Sequence, residues 1–185
     1  YLIVYIENPH GPFKLSAQQG SLVAGLMLVV GGLFGFLAGG LVSDWLGRRF
    51  QGSRVLIAAF ALSAALPLYL ITMLTRALPL FVLCGMVAIF CFNLITGPLT
   101  AAVQDATSPG LRGTAVAVVL LFSHLLGDSW APGTVGVISD HIGGKVNIAL
   151  LSIGIPAAII GIAVAWYGAR LYASEVEVVG TESAG

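Results

Sequence analysis

The sequence predicts an all-α membrane protein, on three observations. Its 185 residues are 58% hydrophobic and 9% charged, with a mean hydropathy of +1.00. A soluble domain of that size cannot bury so much apolar surface and still present a charged exterior. Apolar runs recur at the length an α-helix needs to cross a bilayer, about 20 residues. The ~10-residue polar/apolar alternation of a β-barrel wall does not occur.

Taken in order, residues 1–6 (YLIVYI) read as the end of a helix already under way. A preceding segment and a truncated first span are therefore expected. A polar loop with Pro9, Gly11 and Pro12 follows. Ser16-Ala-Gln-Gln19 is a capping-box pattern, so the second span starts near Ala17 and covers 17–46. Gly25, Gly32, Gly35 and Gly39 fall on one face at about 100° per residue, where another helix can approach closely. The third span covers 54–74 and contains Pro67. Pro79 suits the first turn of the fourth, 79–104, which contains Pro98. Ser108-Pro109 is a cap followed by a first-turn proline and opens the fifth, 109–138. The sixth covers 146–172 with Pro156, and the acidic tail at 173–185 is expected to be disordered.

Alternation of sides sorts the cations. Arg48, Arg49, Arg54, Arg112 and Arg170 fall on one side, Lys14, Arg76 and Lys145 on the other. The positive-inside rule puts the first group and the tail in the cytoplasm. GLVSDWLGRR, from Gly40, matches GVISDHIGGK, from Gly136, at an offset of 96 residues. That offset is three spans, so the copies lie on opposite membrane faces. An inverted 3+3 repeat, as in certain transporters, leaves this trace.

Three groups of residues could carry chemistry. Asp44, with Arg48 and Arg49, lies at a helix end, where ion pairs and helix-terminus contacts can be made in one conformation and lost in another. A solvated loop that sets topology is the plainer reading. On the fourth span Asn93, Thr96, Gly97, Thr100 and Gln104 share a narrow face. A polar stripe in a membrane helix faces a water-filled cavity or the bundle interior, and interhelical hydrogen bonding is the alternative. On the fifth span Thr114, Ala117, Leu121, His124 and Asp128 share a face. His124 and Asp128 are four apart and can touch, and Pro132 disrupts the helix at the Asp128 carbonyl. The pair could hold a proton or cation in a broken helix near the midplane, or lock that helix against a neighbour.

These residues also match a family. The GxxSDxxGRR pattern resembles the loop signature of the major facilitator superfamily, repeated in each half of those transporters. RGTAVAVVLLFSHLLGD followed by GVISD is similar to the corresponding segment of the spinster-like branch. After Asp128 this chain reads Ser-Trp-Ala-Pro-Gly, where the branch has small residues and then Ser-Pro. The resemblance covers residues 1–172 and implies the C-terminal six-helix half of such a transporter. It implies alternating access, with the first, second, fourth and fifth helices lining a cavity and the third and sixth facing lipid. It also implies a partner N-terminal half that carries the proton-coupling acid and arginine. The implied cargo is an amphipathic lipid, such as a lysolipid or sphingoid phosphate, or another organic anion. Sugar phosphates or drugs are the alternative within carriers, and a channel or non-transporting sensor is the alternative beyond them.

Other classes find less in the sequence. Net charge is zero, which suggests no nucleic-acid partner. Cys84 and Cys91 lie roughly 10 Å apart along one helix, too far to pair, and read as apolar fillers. No H-E-x-x-H or G-x-S-x-G motif occurs. Leu126-Gly127-Asp128 matches only the second half of a G-x-G-D aspartyl site. The expectation is no enzyme and no cofactor or metal, in a bacterial inner or plasma membrane.

Overall fold

The computed structural model describes residues 5–6, 12–13, 15–47 and 53–182, with backbone alone at 126, 128 and 172–182. Seven α-helices follow in order: α1 (Ala17–Gly47), α2 (Ser53–Leu74), α3 (Leu78–Leu94), α4 (Thr96–Asp105), α5 (Arg112–Ser123), α6 (Ala131–His141) and α7 (Val146–Glu182). A 3-10 turn, Pro109–Leu111, leads into α5, and a π-helix, His124–Asp128, leads out of it. Helix is the only regular structure among the described residues. Among the described residues, four stretches are long and apolar enough to cross a membrane: Ala17–Gly47, Ser53–Leu74, Leu78–Asp105 and Val146–Leu171. The architecture fits an all-helical integral membrane protein.

Local chemistry accounts for the helix ends. The Ser16 amide donates to Gln19 Oε1 (3.2 Å) and the Gln19 amide to Ser16 Oγ (3.3 Å). This is the reciprocal capping box read in the sequence, and α1 starts one residue later. Pro79 sits in the first turn of α3, where its missing N–H costs nothing. Pro98 leaves the Leu94 carbonyl without its helical donor, and α3 stops at Leu94, with Ile95 between it and α4. At the end of α6, Gly143 and Gly144 adopt φ of 72° and 77°. The Gly144 amide closes back on the Ser139 carbonyl at 2.8 Å, a glycine-terminated Schellman arrangement.

Packing starts from backbone contact. A Cβ added at Gly31 would lie 2.7 Å from the Met86 carbonyl oxygen. One at Gly35 would collide with the Phe90 carbonyl, and one at Gly39 with that of Leu94. The α1 face is therefore Gly31, Gly35 and Gly39, with buried Ser43 in step. This corrects the expected stripe. Gly25 has open space around it, and Gly32 only approaches the Asn93 side chain at 3.8 Å. Gly25 is six residues from Gly31, about 120° round the helix.

The helices run up and down. At one end Tyr5, Ile6, Ala24, Met27, Phe81 and Val146 form a buried cluster. It joins the N-terminal parts of α1, α3 and α7, and Tyr5 Oη donates to the Met73 carbonyl near the end of α2 (3.3 Å). At the opposite end Gly47, Arg54 and Asp105 converge. α7 is fastened to α2 twice. Tyr69 Oη donates to the Leu150 carbonyl (2.9 Å), and Trp166 Nε1 to Ser63 Oγ (3.2 Å). Phe60 meets Trp166 edge-on at 5.0 Å.

Two stretches differ from the expectation. The fifth span, read as one element over 109–138, is divided among the 3-10 turn, α5, the π-helix and α6. α5 alone is 12 residues, about 18 Å, against a hydrocarbon core of about 30 Å. The last helix runs on to Glu182, where an irregular tail from 173 was expected. The Ala-Ser-Glu-Val-Glu-Val-Val stretch there holds no glycine or proline, so no strong helix breaker occurs between 173 and 179.

The glycine contact yields a measurable contrast. Gly35→Ala should lower unfolding stability in detergent by about 1–3 kcal/mol, because backbone cannot yield as a flexible side chain can. Gly25→Ala should be neutral or stabilising by up to about 1 kcal/mol. Circular dichroism during denaturant or thermal unfolding reads both.

Candidate functional site

The broken fifth segment has the fewest supports. No residue of α5 is buried, and Leu121, Phe122, Leu125 and Trp130 are exposed. α5 packs beside α4 and α6 beside α7, so the two sides of the break are held by different helices. The π-helix begins at His124 and ends at Asp128. Its widened turn is seen where the Ser129 amide reaches back five residues to the His124 carbonyl (3.1 Å). Ser129 Oγ donates to the same carbonyl at 3.2 Å. α6 then begins at Ala131, with Pro132 in its first turn. The interruption falls where the sequence placed it, although the helix widens before the proline. His124 is exposed. The Asp128 side chain lies outside the described atoms, so contact between this pair is not part of the description. Single π turns inside helices recur at functional positions.

The polar stripe of the fourth span divides. Asn93 is half-buried, donates from Nδ2 to the Ile89 carbonyl (2.9 Å) and lies against α1 at Gly32. Gly97 faces the backbone of Gly40, and a Cβ added there would lie 3.1 Å from the Gly40 nitrogen. These two serve helix contact. Thr96 and Gln104 are exposed, and half-buried Thr100 donates to the Thr96 carbonyl at 2.8 Å. The open part of the stripe is thus its lower half, on α4, which also packs against α5.

The charged end holds a feature that the sequence reading did not single out. Arg54 at the start of α2 pairs with Asp105 at the end of α4. A cation at a helix N-terminus and an anion at a C-terminus both oppose the helix dipole. Each charge here offsets the other's unfavourable position. The side chains are 23% and 49% exposed, so solvent screens the pair and its net worth is about 0–1 kcal/mol. Alternation of spans puts residues 54 and 105 on one side, which is the signal that could have found them. Asp44 is exposed at the same end. Arg48 and Arg49 lie outside the described residues. Ser43 and Ser53 flank this loop, both buried, with hydroxyls that find no hydrogen-bond partner among the described residues.

The described residues contain no group of three or more His, Cys, Asp or Glu side chains able to hold a metal ion. No family model matches the chain, and no solved structure matches it.

A double-mutant cycle on the ion pair gives a clear expectation. Arg54→Ala and Asp105→Ala should each change stability by under about 1 kcal/mol, with a coupling energy of roughly 0.2–1 kcal/mol. Added salt should erase that coupling. Unfolding of the single and double variants in low and high salt measures it.

Proposed function

We propose that the chain is the C-terminal six-helix half of a secondary transporter with the major facilitator fold, working by alternating access. The observation that carries this reading is the fifth segment. It is a membrane-length stretch interrupted at the π-helix His124–Asp128, with its two sides held by different helices. Ionisable residues at a helix break inside a membrane mark ion and substrate paths in transporters. A cavity wall would run from Thr96 and Thr100 on α4 to His124 and Asp128.

The repeat supports the same reading. At the offset of 96 residues, Ser43 and Ser139 are both buried, while Asp44 and Asp140 are both exposed. Each pair sits in the last turns of its helix, α1 and α6. The resemblance of RGTAVAVVLLFSHLLGD to the spinster-like branch directs the proposal to an amphipathic lipid, such as a lysolipid or sphingoid phosphate, or another organic anion. Coupling to a proton or other ion would reside in the partner N-terminal half. The membrane would be a bacterial inner or plasma membrane with the C-terminal tail in the cytoplasm.

Asp44, Arg48 and Arg49 would act as a latch at the cytoplasmic end, beside Arg54 and Asp105. A latch must be weak enough to open. An exposed pair worth about 0–1 kcal/mol meets that need.

Proteoliposome transport of a lysolipid by the transporter tests the assignment. Asp128→Asn should slow it roughly tenfold or more, the scale of one lost charge-assisted hydrogen bond, and Asp44→Ala and Arg48→Ala, in an exposed latch worth about 0–1 kcal/mol, by roughly two- to fivefold. Unchanged transport in all three would overturn the roles given to these residues. Saturable, gradient-dependent flux separates a carrier from a channel.

A further inference from the structure

We infer that a cavity between α1, α2, α3 and α7 holds the terminal part of a bilayer lipid's acyl chain. The inference does not depend on the transport reading, because a resident tail would lodge there whatever the protein carries. The cavity measures about 250 Å³, and its walls include Met27, Tyr69, Thr72, Ala88, Phe92 and Leu150. An apolar cavity of about 150 Å³ already admits benzene, so this one takes several methylenes.

The lining decides the chemistry of the occupant. Its two hydroxyls are turned away to backbone. Tyr69 donates to the Leu150 carbonyl at 2.9 Å and Thr72 to the Leu68 carbonyl at 2.7 Å. A buried water needs two to four polar partners, and neither donor is left for it. No charged side chain lines the cavity, so nothing there would hold a headgroup. Met27 and Met73 belong to the wall, and unbranched thioethers adapt to a flexible chain.

Position points to the source. The α3 part of the wall, Gly85 to Phe92, lies about 10 to 21 Å along the axis from Leu78. That is the middle of a hydrocarbon core about 30 Å thick, where a leaflet's chain ends lie. Leu28 and Phe92 belong to the wall yet are 51% and 39% exposed, so the cavity opens to the outside of the bundle. The spans that carry these two residues are apolar, so an acyl chain matches the mouth as it does the wall.

Photo-crosslinking of the full chain tests this. The protein is reconstituted in phosphatidylcholine vesicles doped with phosphatidylcholine bearing a diazirine near the end of one acyl chain. After irradiation, mass spectrometry locates the adducts. Tyr69 lines the cavity and is half-buried, whereas Ile160 is outside the lining and 63% exposed. The expected result is adducts at both, with loss of the Tyr69 adduct alone in Ala88→Phe, which fills the cavity. Ala88→Leu is read in the same way if the larger substitution prevents folding. A diazirine beside the headgroup should leave Tyr69 unlabelled. The inference is overturned if the chain-end probe labels Ile160 but not Tyr69. It is equally overturned if the headgroup probe labels Tyr69, or if a folded Ala88 variant keeps the Tyr69 adduct.

Discussion

The carbonyl ridge of α3 lies on the bare backbone of α1, with Met86, Phe90 and Leu94 against Gly31, Gly35 and Gly39. Most other contacts in the molecule are placed by it. In hydrocarbon, burying apolar side chains supplies no driving force between helices, because lipid tails are equally apolar. Close approach does supply one, through dispersion and weak Cα–H···O contacts of about 0.5–1 kcal/mol each. Pro98 adds to it in an indirect way. By leaving the Leu94 carbonyl without its helical donor, it presents that oxygen to Gly39. Once α1 and α3 are locked, α2 packs on α3 and α7 on α2. Tyr69 and Trp166 then fix the last of these contacts with hydrogen bonds.

The same constraint explains what stays loose. α5 and α6 do not share in the α1–α3 contact. They attach singly, to α4 and to α7. A segment held by two different neighbours and joined by a π turn can change its angle without disturbing the locked core. The weak Arg54–Asp105 pair and the exposed Asp44 sit at helix ends, apart from that core. Contact is strong at the centre and weak at the ends and along one segment.

Much of the fold was legible in the sequence because its signals were local. The Ser16–Gln19 capping box and Pro79 in a first turn each depend on neighbouring residues, and each appears in the structure. The glycine face was legible only in part. Periodicity gave Gly35 and Gly39 but selected Gly25 and Gly32 rather than Gly31, because spacing alone does not say which side of a helix meets a partner.

The candidate site was less legible, because its geometry is not local. Asn93 and Gly97 were placed on a face with Thr96 and Thr100, yet the first two turn to α1 and serve packing. Nothing in a single span says how far a neighbour covers it. The Arg54–Asp105 pair joins residues 51 apart in sequence. It becomes visible only when the alternation of spans is used to sort anions as well as cations. Applied to both signs, that rule brings Asp44, Arg54 and Asp105 to one end before any coordinates are known. An acid that opposes its own helix dipole then calls for a cation nearby, and the facing helix start is the place to look for it.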